Sequence, residues 1–312
     1  MSFHDNVRLD TSQVTGGGGG GGGPGGLVVG GGLGGLGALV VLILSLFFGG
    51  GGSDGGVPTG TNAGLDATEV QAAGRQDEDA FSACRTGADA NRGVQCRVIG
   101  TVNSVQAYWT GELPQYGREW RPTQTVLYSG TTQSACGTAS NQVGPFYCPL
   151  DQMVYLDASF FGVLEQQFGS SGGPLAQEYV VAHEYGHALQ DQLGLLDRAQ
   201  QDPSGPNSGA VRVELMADCL AGVWAHHASN TRDAQGQAFL EPLTESDIRD
   251  ALSAAASVGD DRIQEATAGR VSPESWTHGS AEARQRWFLH GHESGDLNQC
   301  DTFAVPDVNA GP

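Results

Sequence analysis

The amino-acid sequence predicts an α+β protein, and three observations carry that expectation. Short β-prone runs broken by turn residues occupy Arg97 to Leu156. From Pro174 onward the period changes, and apolar residues recur at three- and four-residue steps. The chain beyond residue 75 is also long enough to bury a sizeable core. The expected architecture is a small mixed sheet packed on one central helix, followed by a mostly helical C-terminal half.

Taken in order, the N-terminus reads as tether rather than fold. Of 49 glycines in 312 residues, 25 lie within residues 1–74, so the excess is local. Residues 1–26 join a polar start, MSFHDNVRLD, to the run Gly16 to Gly23, and are expected to be a disordered tail. Residues 27–48 are 22 uncharged positions. At about 1.5 Å per residue they are long enough to cross a hydrocarbon core of about 30 Å. They are expected to be a retained transmembrane helix, with a cleaved signal-peptide core as the alternative. Residues 49–74 read as a flexible linker, 75–303 as the domain and 304–312 as a C-terminal tail.

Six cysteines (Cys84, Cys96, Cys136, Cys148, Cys219 and Cys300) follow that segment, with no C-x-x-C pair. An even number without metal-cluster spacing suggests disulfides, with buried free thiols as the alternative. Six cysteines allow 15 pairings. The expected set is Cys136–Cys148, across a short loop rich in turn residues, with Cys84–Cys96 and Cys219–Cys300. This layout predicts a single-pass protein of the cell membrane with its domain outside the cytoplasm.

The formal charge is −20, from 35 acids against 15 bases, and every base is arginine. Such a field repels phosphate backbones and anionic lipid faces, so nucleic acid is excluded as a ligand. Solubility is sufficient reason for the acidity.

Within the domain, RVIGTVNSVQAYW, TQTVLYSG and MVYLD are the β-prone runs. In the last, Met153, Tyr155 and Asp157 share a face, and MVYLD is expected to be the edge strand on which an extended peptide aligns. Tyr155 then lies near the cleft or is an ordinary packed tyrosine. Next comes PLAQEYVVAHEYGHALQDQLGLL, with Pro174 at a first helical position. Ala176, Tyr179, Val180, His183, His187 and Gln190 form one stripe. On it sits His183-Glu184-Tyr185-Gly186-His187, an H-E-x-x-H motif. Four residues is just over one turn, so both imidazoles project from one face and can reach one metal ion. Glu184 lies one position round, placed to act on a water beside that metal.

A metal site of this kind needs a third protein ligand. In AVRVELMADCLAGVWAHHAS, Glu214 and Asp218 are four apart among Val211, Val213, Leu215, Met216 and Leu220, where unpaired carboxylates are costly. Glu214 is expected to complete the ligand set, and Asp218 to hydrogen-bond the far nitrogen of a ligand histidine.

The motif pair resembles the gluzincin arrangement, in which a second helix donates the glutamate. More closely, the chain resembles the bacterial putative neutral zinc metallopeptidase family of membrane-anchored proteins. The matching stretches are SACGTASNQVGPFYCPLDQMVYLD, HEYGHALQDQLG, VELMADCLAGVWA, THGSAEARQRWF and SGDLNQCDTF. The resemblance implies a zincin-like fold, Zn²⁺ as cofactor and hydrolysis of peptide or protein substrates. On that reading a zinc-activated water attacks the peptide bond and Glu184 is its general base. The oxyanion needs a further donor, for which His226, His227, His278, His290, His292 and Tyr155 are candidates. His278 is preferred, because it sits in the short polar turn Thr277-His278-Gly279-Ser280 that opens a later helix. His226 and His227 end the second metal-site helix and read as dipole partners. Trp276, Trp287 and Phe288 read as core aromatics. ESDIRDALSAAAS, opened by Thr244 with Asp247 three residues on, reads as a peripheral capped helix. The competing function is a non-catalytic, zinc-stabilised protein-binding domain.

Overall fold

The run RVIGTVNSVQAYW forms a helix, not the expected strand. The computed structural model describes residues 1–17, 81–140 and 143–312. In it this run belongs to α2 (Val94–Glu112), which follows the short α1 (Gly87–Arg92). Its β-branched residues suggest a strand locally. Yet Val98, Ile99, Val102, Val105 and Trp109 fall at helical steps, and all are buried. Burial of that stripe outweighs the propensity of single residues.

The strands are β1 (Val14–Gly17), β2 (Gln124–Tyr128), β3 (Thr131–Ser134), β4 (Gly137–Ser140), β5 (Phe146–Cys148) and β6 (Met153–Asp157). Four of them make a mixed sheet in the order β1–β2–β6–β5, and β3 and β4 pair as a separate hairpin. β1 and β6 flank β2 in parallel, while β5 runs antiparallel to β6. MVYLD is therefore an inner strand, and the sheet edges are β1 and β5. That corrects the expectation of an edge at MVYLD. Nothing local distinguishes an inner strand from an edge, because the partners come from Thr125 and Phe146. Tyr155 is a packed tyrosine. Its ring stacks on Phe146 at 5.1 Å and its hydroxyl donates to Asp151 at 2.8 Å.

Seven helices, among the described residues, follow the sheet: α3 (Phe160–Phe168), α4 (Pro174–Gln192), α5 (Asp197–Gln201), α6 (Gly209–His227), α7 (Glu245–Ser257), α8 (Asp260–Ala268) and α9 (Ala281–Ser294). The architecture is thus α+β, a small mixed sheet with a mostly helical C-terminal half. Tyr185 ties α4 to the sheet, its hydroxyl 2.9 Å from Thr125 Oγ1 and donating to the Thr123 carbonyl at 3.0 Å. Thr244 and Asp247 form the expected capping box of α7, which packs on α4. Trp276, Trp287 and Phe288 are buried. At the crossing of α6 and α9, a Cβ on Gly291 would collide with the Cys219 carbonyl, and one on Gly222 with that of Phe288. Glycine at both positions lets the two backbones touch. The disulfides are Cys84–Cys96, Cys136–Cys148 and Cys219–Cys300.

Residues 1–17, expected within a disordered tail, are part of the fold. Met1, Phe3, Val7 and Val14 are buried in the main core, and β1 completes the sheet. Asn91 and Asn103 accept the Phe3 and Asp10 N–H groups, each at 2.8 Å. The apolar positions of this segment are sparse, and their partners lie some ninety residues away, so they carry no local period. Residues 304–312 are likewise docked. Val308 is buried, and its carbonyl accepts the Trp287 indole N–H at 2.9 Å.

The expected membrane anchor requires correction. Among the described residues, no helix is long and apolar enough to cross a membrane, which overturns the single-pass anchor and the membrane localisation built on it. The expected span, 27–48, and the linker, 49–74, lie outside the described residues. The packing supplies a physical reason. Residues 1–17 share one core with residues 81–312, so both lie on the same side of any bilayer. A single crossing between them would put them on opposite sides.

One buried acid beside the N-terminal segment makes stability pH-dependent. Glu178 on α4 is fully buried, 3.9 Å from the Met1 amino nitrogen and 4.0 Å from Arg97 Nε. Burial pushes its carboxyl up to about 7, against the pull of those two cations. A raised acid pKa stabilises the fold below the ordinary carboxylate range, and that contribution is lost as pH rises through the folded value. Wild-type protein should therefore lose up to about 3 kcal/mol between pH 4.5 and 8 that Glu178→Gln does not lose. Urea unfolding of both proteins across that range measures the difference.

Candidate metal centre

Two helices build the centre. α4 carries His183 and His187 one turn apart, and α6 crosses it with Glu214 facing both. The crossing is close because Gly186 stands at the contact, where a Cβ would sit 3.1 Å from Ala217 Cα. His183 Nε2 lies 3.3 Å from Glu214 Oε2, and His187 Nε2 lies 3.4 Å from Glu214 Oε1. One donor atom from each of the three residues falls within 4.8 Å of the others, and all three residues are buried. Two imidazoles and a carboxylate match the borderline donor set that zinc takes, with room for a further ligand from the cleft. The group could hold a metal ion.

The far side of each imidazole is engaged. His183 Nδ1 is 2.8 Å from Asp218 Oδ1, and His187 Nδ1 is 2.8 Å from Gln190 Oε1. Gln190 in turn donates to the Val213 carbonyl at 2.7 Å. Both rings thus present Nε2 to Glu214, the orientation a metal requires. Behind Asp218 stands Arg284 of α9, donating from Nε to Oδ2 at 2.9 Å and from Nη2 to Oδ1 at 3.0 Å. The same Nη2 donates to the Tyr179 hydroxyl at 3.1 Å, and Tyr179 closes the network on Asp218 Oδ1.

Electrostatics follow from this packing. Burial alone would raise the Glu214 carboxyl, but the imidazoles of His278, His187 and His183 hold it well below the usual range. Burial likewise opposes ionisation of Asp218, and Arg284 and His183 overcome it. Burial lifts the Glu184 carboxyl above its ordinary value. Glu184 lines a cleft, and its Oε2 is buried with no hydrogen-bond partner among the described residues.

That cleft has a volume of about 730 Å³ including its open mouth. Val143, Gly144 and Pro145, just before edge strand β5, form one wall. Phe160, Phe168, Val180, Val258 and Ile263 make another wall apolar. Of the six candidate oxyanion donors, only His278 lines it, with Nε2 3.9 Å from Glu214 Oε2. His226 and His227 instead bind carbonyls at the end of α9, those of His292 and Gly295. They serve the neighbouring helix, not the end of their own.

Of the residues the sequence points to, His183, Glu184, His187, Glu214 and His278 line one cleft, and Asp218 is buried behind His183. Sequence reasoning assigned no role to Gln190, Tyr179 or Arg284. Gln190 was within reach, being three residues after His187 on the same stripe. Arg284 was not, since it comes from a helix 66 residues beyond Asp218.

Comparison with known proteins agrees with this geometry. A family model described as putative neutral zinc metallopeptidase matches residues 3–303. The uncharacterized protein Mb2605 of Mycobacterium bovis is 58% identical over 229 residues, covering 73% of this chain and 77% of its own length. The uncharacterized protein Rv2575 of Mycobacterium tuberculosis matches to the same extent. The uncharacterized protein YpfJ of Escherichia coli is 40% identical over 200 residues, 62% of this chain and 66% of its own. No solved structure matches significantly. With a match that begins in the N-terminal segment and ends beyond the last cysteine, the chain belongs to the putative neutral zinc metallopeptidase family.

Proposed function

We propose that the protein is a zinc-dependent endopeptidase with a zincin-like catalytic core. The observation that carries this reading is the buried, unpartnered Glu184 carboxylate oxygen beside the His183–His187–Glu214 group in an open cleft. A site that only stabilised the fold would have no use for that free carboxylate. His183, His187 and Glu214 would hold the zinc. When bound, zinc supplies a Lewis acid that acidifies a water and polarises a peptide carbonyl.

The remaining steps belong to the chain's own residues. Glu184 takes the proton of the attacking water and returns it to the leaving amine. His278 donates from Nε2 to the oxygen that gains charge as the carbonyl becomes tetrahedral. Asp218 and Gln190 keep the two imidazoles in the tautomer that leaves Nε2 free. The apolar wall excludes water and receives a substrate side chain, while the 143–145 segment and β5 offer an edge along which an extended peptide can lie.

Purified protein loaded with zinc should cleave a pool of denatured proteins. A chelator should stop cleavage, and added zinc should restore it. Stoichiometric zinc without any cleavage would overturn the peptidase reading in favour of a zinc-stabilised binding domain.

A further inference from the structure

His278 reaches the cleft from an irregular turn, and one buried carboxylate gathers that turn. The backbone N–H groups of Thr277, His278 and Gly279 all donate to Asp260 Oδ2, at 2.8, 2.7 and 2.9 Å. Asp260 is 4% exposed and stands at the first turn of α8. The contact is reciprocal, since the Asp260 N–H donates to the Gly279 carbonyl at 2.9 Å. Its neighbour Asp261 accepts the Ala281 N–H at 2.7 Å. Gly279 has φ +92°, where a side chain would be strained, and it rests on Val211 and Leu215 of α6.

Three successive N–H groups converging on one point form an anion-holding concavity. Here the chain fills it with its own carboxylate. None of the three has a helix or strand partner, so the shape of the turn depends on that oxygen. The imidazole follows the turn. Its Nδ1 lies 2.8 Å from Thr277 Oγ1 and 3.8 Å from Asp260 Oδ1, which leaves Nε2 directed at the cleft and Glu214.

We propose that Asp260 is the positioning residue for His278: it fixes the 277–279 turn so that Nε2 stands beside the metal centre before substrate arrives. Val258 and Ile263, on either side of Asp260, line the same cleft. The start of α8 therefore sets the histidine and part of the apolar wall as one unit. The catalytic consequence rests on the peptidase reading above, whereas the structural one stands without it.

The test compares Asp260→Ala, Asp260→Asn, His278→Ala and the double variant Asp260→Ala/His278→Ala in the full-length, zinc-loaded protein. In Asp260→Ala, amide hydrogen exchange at 277–279 should accelerate and a crystal structure should show Nε2 withdrawn from Glu214. Asn keeps an accepting oxygen, so Asp260→Asn should restore both. On a peptide substrate, Asp260→Ala should lower kcat by about 10-fold to 100-fold with KM within about twofold. The double variant should be no slower than His278→Ala alone, within about twofold.

Unchanged exchange and ring position in Asp260→Ala would overturn the proposal. Losses that multiply in the double variant would overturn it as well. Where Asp260→Ala does not fold, Asp260→Ser carries the same comparisons. A wild type that cleaves nothing would sink the peptidase reading, while exchange and ring position would still decide the role of Asp260.

Discussion

Glu184→Gln should bind zinc as tightly as the wild type and lose nearly all cleavage. Glutamine has the same shape, and the donor atoms of His183, His187 and Glu214 are untouched. What disappears is the ability to take a proton from water. General-base catalysis by a positioned carboxylate contributes about 10²- to 10⁴-fold, so kcat should fall by that factor. KM should change little, because Glu184 acts on the water and not on peptide binding. Metal analysis beside steady-state kinetics on one peptide separates the outcomes. A variant that loses zinc and activity together would show Glu184 acting through the metal site and not as the base.

The second large effect is expected at Arg284, which lines the cleft and stands behind Asp218 and His183. Arg284→Met keeps most of the side-chain volume and removes the guanidinium. Asp218, fully buried, then loses both charge-assisted bonds and keeps Tyr179 and His183. Removing one partner of a buried ion pair typically costs about 3–5 kcal/mol, because the other charge is left uncompensated. Urea unfolding of the metal-free protein measures that loss. The same change frees Asp218 to move from His183, so zinc affinity should fall by about 10- to 100-fold in a competition titration. Arg284→Lys should recover little of either quantity, since one ammonium cannot reproduce the fork that spans Asp218 and Tyr179. A stable Arg284→Met protein with unaltered zinc affinity would show that Asp218 orients His183 unaided.

These two residues also mark what was legible in the sequence. Glu184 is readable because its partners are its neighbours, and the three- and four-residue steps of one helix carry His183 and His187 to the same face. Glu214 and Asp218 are readable for a related reason: acids on an apolar helix demand partners, wherever those come from. Arg284 gives no such signal. An arginine near the start of a polar-looking helix reads as a surface residue until α9 is laid against α6, and only the glycines at 222 and 291 permit that approach. Asp260 was hidden in the same way, because its three hydrogen bonds go to backbone groups 17 to 19 positions away.

The same distinction accounts for the errors. The strand expected at RVIGTVNSVQAYW rested on β-branched residues, whereas the stripe that mattered was helical and found its cover in residues distant along the chain. The tail expected at 1–26 rested on glycine content. Four buried apolar side chains and a parallel strand make residues 1–17 part of the domain, and that packing is incompatible with a single membrane crossing before residue 81.

By itself, then, the sequence determined the α+β class and the grouping of His183, His187 and Glu214 with Glu184 and Asp218 beside them. Each depends on periodicity or on the cost of burying a charge, which are local properties. Tertiary structure alone decided which strands are edges, where the N-terminus lies, that Arg284 backs Asp218, and that Asp260 gathers the turn carrying His278. Those depend on contacts between distant segments, whose energy is realised only when the helices and the sheet have come together.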